Sequence, residues 1–352
     1  LTGASVAANT SVTAVNLSGA GTNLVTATGG SVNLGAVTDG AAANLTVSAT
    51  TDVTLAAVTL DAGGALSATA DGNNDSTSTL ALNGAVVATG VTLCGGGTGT
   101  NDTIDVNADV SAGTGALTIQ NGQSVDLAGD VDLTGAGVSV SSSVTGILLS
   151  GANGTTNVIS STGDANTISL SAMTATNNPN LTLQSQGDLT VGAAVSIGTG
   201  TFSATVDTNN NGTNTLTVSG APSAGAITLS GGGTGTNDTI DINADVTTTG
   251  ALTIQNAQSV DLAGDVDLTG AGVSVSTSVA GILLSGANGT TNVISSTGDA
   301  NTISLAAVTA TNSPNLTLQS QGDLTVGPAV NIGTGTFSAT VDTNNNGTNT
   351  LT

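Results

Sequence analysis

Short segments with apolar residues at every second position recur along the whole chain, about every eight to ten residues. The residues between are mostly Thr, Ser or Asp, and Gly, Asn, Ser or Asp separate one segment from the next. Examples are "ALTI" (116–119), "SVDL" (124–127), "NLTL" (180–183) and "DLTV" (188–191). A period of two places alternate side chains on opposite faces of a strand, so each segment predicts a short strand with one buried face.

The chain also has a longer repeat of about 135 residues, and each copy of it contains many of these short segments. Residues 95–217 match 231–352 almost letter for letter, and an older copy upstream is seen where 66–84 match 202–220. We therefore divide the chain into a degenerate partial copy (1–94), a repeat unit (95–230) and a truncated repeat unit (231–352), without linkers. Two positions stay apolar in all copies, which predicts core sites stacked along one axis: Val37, Met173 and Val308 at the first, and Leu66, Phe202 and Phe337 at the second.

Many short strands fit either a β-sandwich or a β-solenoid. Separate sandwiches would need distinct edge strands and linkers, whereas the alternating rhythm here runs across the repeat boundaries. Stacked parallel coils need neither, because each coil covers the next. The prediction is an all-β parallel β-helix, with about 20–27 residues per coil, forming one continuous rod.

The chain has 352 residues without Lys, Arg or His, and all 23 acidic residues are Asp, which gives a net charge of −23. Without cations it cannot hold nucleic acid phosphates or an anionic membrane surface. It also lacks the usual catalytic bases and nitrogen ligands. No apolar run approaches the ~18 residues of a membrane helix. We expect a non-catalytic protein that neither binds nucleic acid nor inserts into membranes.

A glycine-rich motif, "GGGTGTNDTIDVNADV" (95–110), returns as 231–246. It resembles a calcium β-roll repeat only in part, because Asn101 stands where that motif has its Asp. The preferred interpretation is a glycine corner that leads into a strand, with Asp102, Asp105 and Asp109 facing water.

A better candidate for a cation site is "DTNNNGTN" (207–214), which recurs at 342–349 and has an older counterpart at 71–78. Oxygen-bearing side chains at the first, third and fifth places resemble the first half of an EF-hand loop, although the closing Glu is missing. Asn and Asp also favour turns for purely local reasons. No cofactor is required, and weak calcium binding is the functional prediction for these side chains: Asp207, Asn209 and Asn211; Asp342, Asn344 and Asn346; Asp71, Asn73 and Asp75.

A third acidic motif, "SVDLAGDVDL" (124–133), carries Asp126, Asp130 and Asp132 and is repeated at Asp261, Asp265 and Asp267. Paired carboxylates can hydrolyse glycans, but this chain lacks aromatic and cationic helpers, so diffuse cation binding is the preferred interpretation. The lone Cys94 predicts no disulfide.

The stretch "NLTLQSQGDLTVGAAVSIGTG" (180–200) resembles the β-helical stem of filamentous-haemagglutinin-type exoproteins and large autotransporter adhesins of bacteria. The resemblance covers essentially the whole chain and implies a secreted or surface-anchored right-handed β-helix.

The function expected from these observations is that of a structural segment in an extracellular or cell-surface fibre or stalk. Its partners would be copies of itself, in a fibre or lateral bundle, and divalent cations such as calcium. The alternative is an adhesin module that binds a surface or glycan through its acidic, Thr/Asn-rich face.

Overall fold

The computed structural model describes residues 1–8, 14–60, 62–75, 77–96, 102–141, 143–232, 237–276, 278–299, 302–345 and 349–352. These ranges contain strands, turns and bends but no helix, and so no helix that could span a membrane. The chain divides into two compact units, Leu1–Pro179 and Asn180–Thr352. The prediction of an all-β protein is confirmed.

Three parallel sheets build the first unit, and successive strands along the chain visit them in turn. Sheet A contains β1 (Thr2–Gly3), β4 (Gly21–Ala27), β7 (Ala43–Ala49), β10 (Leu66–Thr69), β13 (Val91–Cys94), β16 (Leu117–Gln120), β19 (Val138–Val140) and β22 (Ile168–Ser169). Sheet B contains β2 (Val6–Ala7), β5 (Val32–Leu34), β8 (Val53–Leu55), β11 (Thr79–Leu82), β14 (Thr103–Val106), β17 (Ser124–Leu127), β20 (Gly146–Leu149) and β23 (Met173–Ala175). Sheet C contains β3 (Val15–Leu17), β6 (Val37–Asp39), β9 (Val58–Thr59), β12 (Val86–Val87), β15 (Val110–Ser111), β18 (Asp132–Gly135) and β21 (Thr156–Ser161).

The second unit has the same construction, and we name its sheets D, E and F. Sheet D contains β24 (Asn180–Ser185), β27 (Thr201–Thr205), β30 (Ala226–Ser230), β33 (Ala251–Gln255), β36 (Gly272–Val275), β39 (Ile303–Ser304) and β42 (Leu324–Thr325). Sheet E contains β25 (Leu189–Val191), β28 (Thr215–Val218), β31 (Thr239–Ile242), β34 (Ser259–Leu262), β37 (Gly281–Leu284), β40 (Val308–Ala310) and β43 (Val330–Asn331). Sheet F contains β26 (Val195–Ser196), β29 (Pro222–Ala224), β32 (Val246–Thr248), β35 (Asp267–Gly270), β38 (Thr291–Ser296), β41 (Asn315–Ser320) and β44 (Phe337–Thr340).

Each unit is therefore a parallel β-solenoid, as predicted, with about 24 residues per turn. The register shows how much individual coils differ. Ile240 pairs with Val260, 20 residues later, whereas Val138 pairs with Ile168, 30 residues later. The longest coils exceed the predicted range of 20–27 because loops at the corners lengthen without disturbing the strands.

The core is a set of apolar columns inside each unit. In sheet A one column is formed by residues that pair in register from coil to coil and are all buried: Leu45, Leu66, Val91, Leu117, Val138 and Ile168. Burial alternates along the strands, as in the pattern of β17, where Val125 and Leu127 point inward. Period-two patterning thus predicts which side chains form the core.

The long repeat does not contain a whole number of coils. Equivalent strands are 17 apart: "NLTLQS" forms β24 in sheet D and recurs as β41 in sheet F. In the first unit, the equivalent residues Val37 and Met173 lie in sheets C and B. Because 17 is not a multiple of three, each copy is shifted by one sheet.

Because of this shift, the repeated core positions do not share one column, although most of them are buried. Val37, Met173 and Val308 are all buried, as predicted for core sites, but Val37 and Met173 do not stack in one column. At the second position, Leu66 and Phe202 are buried while Phe337 is 46% exposed in the edge strand β44. The repeat boundaries at 94/95 and 230/231 stay predictions from the sequence, and the division at 179/180 falls inside the middle repeat.

Candidate functional site

The three Asp–Asn loops, which carry the predicted calcium ligands, all lie at corners between sheets. The first, from Asp71, connects β10 to β11, and the second, from Asp207, connects β27 to β28. The third, from Asp342, follows β44. Corners are where the chain leaves the hydrogen-bonded ladder, so the backbone amides there need other acceptors.

In the second loop the carboxylate of Asp207 supplies those acceptors. Its side chain is buried, its Oδ1 accepts the Asn211 amide at 3.0 Å, and its Oδ2 accepts the Gly212 amide at 3.3 Å. Its carbonyl accepts the Asn210 amide at 2.9 Å, and both Asp207 (φ 50°) and Asn210 (φ 57°) adopt left-handed backbone. The predicted ligands Asn209 and Asn211 are exposed. Asp207 therefore organises the turn from inside, as Asp does in local turn motifs.

The first loop has the same internal order. Asp71 is buried at φ 47°, and its Oδ1 accepts the Asp75 amide at 3.2 Å. The two exposed side chains meet, since Asn73 Nδ2 donates to Asp75 Oδ2 at 2.8 Å. The structure thus brings Asn73 and Asp75 together at the tip of the loop.

The third loop differs in burial. Asp342 is only partly buried, although it keeps the left-handed backbone (φ 54°) and the hydrogen bond from the Asn345 amide to its carbonyl at 2.9 Å. Asn344 is exposed and its Nδ2 donates to Asp299 Oδ1. Asn346 lies outside the described residues.

Carboxylates from the neighbouring coils hold the first two loops from both sides. For the second loop, Asp188 Oδ1 accepts the Thr215 amide at 2.8 Å and Asp238 Oδ1 accepts the Asn214 amide at 2.9 Å. Asp238 is fully buried, and its Oδ2 accepts the Gly232 amide at 2.9 Å. Charge-assisted hydrogen bonds of this kind take the place that salt bridges fill in other proteins.

The first loop is held by the equivalent residues. Asp52 Oδ1 accepts the Thr79 amide at 2.9 Å and Asp102 Oδ1 accepts the Ser78 amide at 2.9 Å. Asp102 is fully buried, so the expectation that it faces water was wrong. The same expectation was made for Asp105 and Asp109. Asp109 is exposed and Asp105 is partly exposed.

The same corner explains the repeated glycine motif. Gly96 (φ 111°) lies so close to the first loop that an added Cβ would be 2.5 Å from the Asp71 carbonyl oxygen. At Gly232 an added Cβ would be 2.4 Å from the Asp207 carbonyl oxygen. The glycines are thus needed where one coil packs onto the Asp turn of the coil before it. Residues 97–101 and 233–236 of the two motif copies lie outside the described residues.

No group of three or more Asp, Cys, Glu or His side chains is placed to hold a metal within the described ranges. The carboxylates of Asp207 and Asp238 face backbone amides. Calcium binding at the exposed tips stays a prediction, and the buried Asp residues have a structural part that sequence reasoning missed.

The third acidic motif forms a surface where carboxylates from adjacent coils approach each other. Burial raises the pKa of Asp132, the nearby Asp109 raises it further, a hydrogen bond from the Val158 backbone lowers it, and Asp130 raises it again. Asp132 also donates its amide to Asp109 Oδ1 at 3.0 Å.

The equivalent residue in the second copy of the motif, Asp267, has the same surroundings. Burial is the largest cause that raises its pKa, and Asp245 raises it further. A hydrogen bond from the Val293 backbone lowers the pKa, and Asp265 raises it. Burial also raises the pKa of Asp261; hydrogen bonds with Ser285 lower it, and Asp241, its in-register neighbour, raises it. Ionised carboxylates that are close together and partly buried weaken the fold.

A scan of protein-family models finds no match to the chain, and searches of the curated proteins and of the solved structures find none either. The solenoid and its corners are therefore the features that indicate a function.

The buried position of Asp207 predicts a large structural penalty when it is removed. Asp207→Ala should destabilise the protein by about 2–4 kcal/mol, because it leaves two backbone amides without acceptors. Asp342→Ala, at the partly exposed copy, is the matched control and should cost about 1 kcal/mol or less. Denaturant unfolding measures both. Equal losses at the two positions would contradict the structural part assigned to Asp207.

Weak calcium binding stays the prediction for all three Asp–Asn loops, and the test changes only their exposed side chains. A site that binds only the folded chain should stabilise it by ~1.4 kcal/mol at ten times its Kd. Calorimetric melts in millimolar calcium and in EDTA measure this, and Asn209→Ala combined with Asn211→Ala should remove the difference. Asn153→Ala, in another exposed turn, is the control. Identical melts with and without calcium would end the case for these loops as cation sites.

The acidic surface predicts a pH effect of defined sign. A carboxyl whose pKa is higher in the folded than in the unfolded chain holds more protons when folded, so its ionisation at neutral pH weakens the fold. That loss disappears as the pH falls from above the raised pKa to below the ordinary value of 3.8. Asp132→Asn with Asp267→Asn should raise the Tm by about 1–3 °C at pH 7 and leave it unchanged near pH 3. The exposed pair Asp164→Asn with Asp299→Asn controls for net charge; an equal rise in that variant would refute the local cause.

Proposed function

We propose that this chain is a structural, non-catalytic segment of an extracellular or cell-surface fibre or stalk. The observation that carries the proposal is the in-register stacking of coils in each unit, with apolar columns inside and parallel ladders between coils. In such arrays stability is approximately a sum of coil terms and nearest-neighbour terms, so it accumulates with length. A fold of this kind suits a load-bearing element.

The composition supports the same role. Each coil buries Val, Ile and Leu side chains, and such burial stabilises by roughly 25 cal/mol per Å² of apolar area. The chain has no Lys or Arg, so proteases that cleave after basic residues have no site. Durability outside the cell follows from both features.

The finer proposal is a stem of the filamentous-haemagglutinin or autotransporter-adhesin type. What supports it is the texture of strand, Gly-Asp corner and strand, as in residues 180–200. Its partners would be other copies of the chain, in a fibre or lateral bundle, with divalent cations reducing the repulsion between acidic surfaces.

The alternative is an adhesin module that recognises a surface or a glycan through polar residues. It predicts saturable binding to immobilised glycans by the isolated protein. A purely structural segment predicts none, so a glycan-array measurement separates the two functions.

Mechanical loading tests the main proposal. A full chain tethered at both ends should extend in force-bearing steps, and release of one coil of about 24 residues should lengthen it by ~80 Å. Leu93→Ala opens a cavity in the apolar core of the first unit and should lower the force at which the affected coils are released. Thr92→Ala, the adjacent outward residue, is the control. Smooth extension without force-bearing steps would contradict a load-bearing role.

A further inference from the structure

The outward face of sheet A carries an unbroken column of hydroxyl side chains, which we call the hydroxyl ladder. Its members pair in register from coil to coil: Thr46, Ser67, Thr92, Thr118, Ser139 and Ser169. Because the coils are stacked, the hydroxyl groups recur at the strand spacing of ~4.8 Å. The ladder forms a regular ridge along the stacking direction.

A groove of about 350 Å³ runs beside this ridge. The hydroxyl ladder lines it from Thr46 to Thr118, and Ala65, Gly90 and Ala116 lie along it. Each of these small residues precedes a ladder residue by two positions, so both belong to the same outward face. The face therefore has a ridge of hydroxyl side chains and, parallel to it, a depression where side chains are short or absent.

Sheet A also differs from its neighbours in charge. Its strands contain no Asp, whereas Asp105 lies directly beside Asp126 on sheet B and sheet C carries Asp39 and Asp132. In a chain of net charge −23 without cations, two copies repel each other least when they meet through the uncharged sheet. The charge pattern selects one face for contact between copies.

The second unit repeats the hydroxyl column and the absence of Asp from its strands. On sheet D an in-register column of hydroxyl groups comprises Thr182, Ser203, Thr228, Thr253, Ser274, Ser304 and Thr325. The strands of sheet D contain no Asp, while sheet E carries Asp241 beside Asp261 and sheet F carries Asp267. Each unit thus has one uncharged, hydroxyl-bearing face.

We propose that the hydroxyl-bearing face of sheet A is a lateral docking surface for a second copy of the chain, with the ridge of one copy in the groove of the other. The inference rests on the proposed fibre function and deepens it, since it names the contact through which fibres would pair. Self-complementarity of one patch is what a two-fold interface requires.

The geometry also fixes the relative direction of the two copies. The ridge and the groove lie side by side and both run along the stacking axis. Rotation by 180° about an axis parallel to that direction brings each ridge opposite the other copy's groove, whereas rotation about a perpendicular axis in the interface brings ridge onto ridge. The two copies must therefore run parallel.

The test fills the groove without changing charge. Ala65→Leu places a large side chain in the groove. Ala81→Leu makes the same change on the outward face of sheet B, as a matched control. Sedimentation equilibrium of the full chain in EDTA at 0.15 M salt should show reversible pairing of the unmodified protein. The groove variant should raise the Kd at least tenfold and the control less than twofold.

The relative direction of the two copies is measured from the distance between spin labels, one on each copy, in a Cys94→Ser background. Labels at Ala42→Cys and at Asn166→Cys, both in exposed positions, should each give a short distance between copies if the pair is parallel. An antiparallel pair can bring at most one of the two positions close together, and this result would overturn the geometry.

Three other outcomes would overturn the proposal: an unmodified chain that stays monomeric at every concentration, a groove variant that pairs as well as its control, or pairing that requires calcium and vanishes in EDTA. The last would assign the contact to the acidic faces. None of these outcomes bears on the force-bearing steps, so failure of the docking surface is distinguishable from failure of the fibre function.

Discussion

Every coil of this protein depends on the coils beside it, because the backbone groups of a parallel strand are satisfied only by its neighbours. The in-register pairing that follows acts on side chains as well as on the backbone. Inward positions align Leu, Ile and Val into columns, and some outward positions align polar residues, as at Thr46, Ser67 and Thr92. Aligned Thr and Ser carry no charge that could repel, whereas burial and, after it, the in-register Asp241 raise the pKa of Asp261, so that ionisation of this carboxyl weakens the fold. The same constraint thus creates both the stability of the units and their local weaknesses.

The absence of Lys and Arg makes the corners the second determinant of the structure. A buried carboxylate must be paired or fully hydrogen-bonded, and here the partners are backbone amides. Asp238 accepts amides from two different coils, so one side chain satisfies its own charge and the orphaned donors of two corners. The acidic composition is therefore part of how the chain folds, beyond its effect on solubility.

The sequence predicts the strands and the core well because both follow from a local period of two, as in "SVDL" at 124–127. It fails at the corners. Asp102 reads locally as a solvated turn residue, but its carboxylate binds the Ser78 amide, 24 residues earlier, and that contact exists only once the coil lengths are known. The sheet to which Val37 or Met173 belongs depends likewise on the number of intervening strands, and strands of two residues such as β12 leave little trace in a pattern.

The 17-strand repeat has a consequence for how the surface is presented. In the second unit, the Asp207 loop lies between sheets D and E, while its copy at Asp342 lies between sheet F and the return to sheet D at Leu351. A repeat of 18 strands would place every copy at the same corner and give a one-sided array. The observed count instead places the two copies of the loop in the second unit at different corners of its coil.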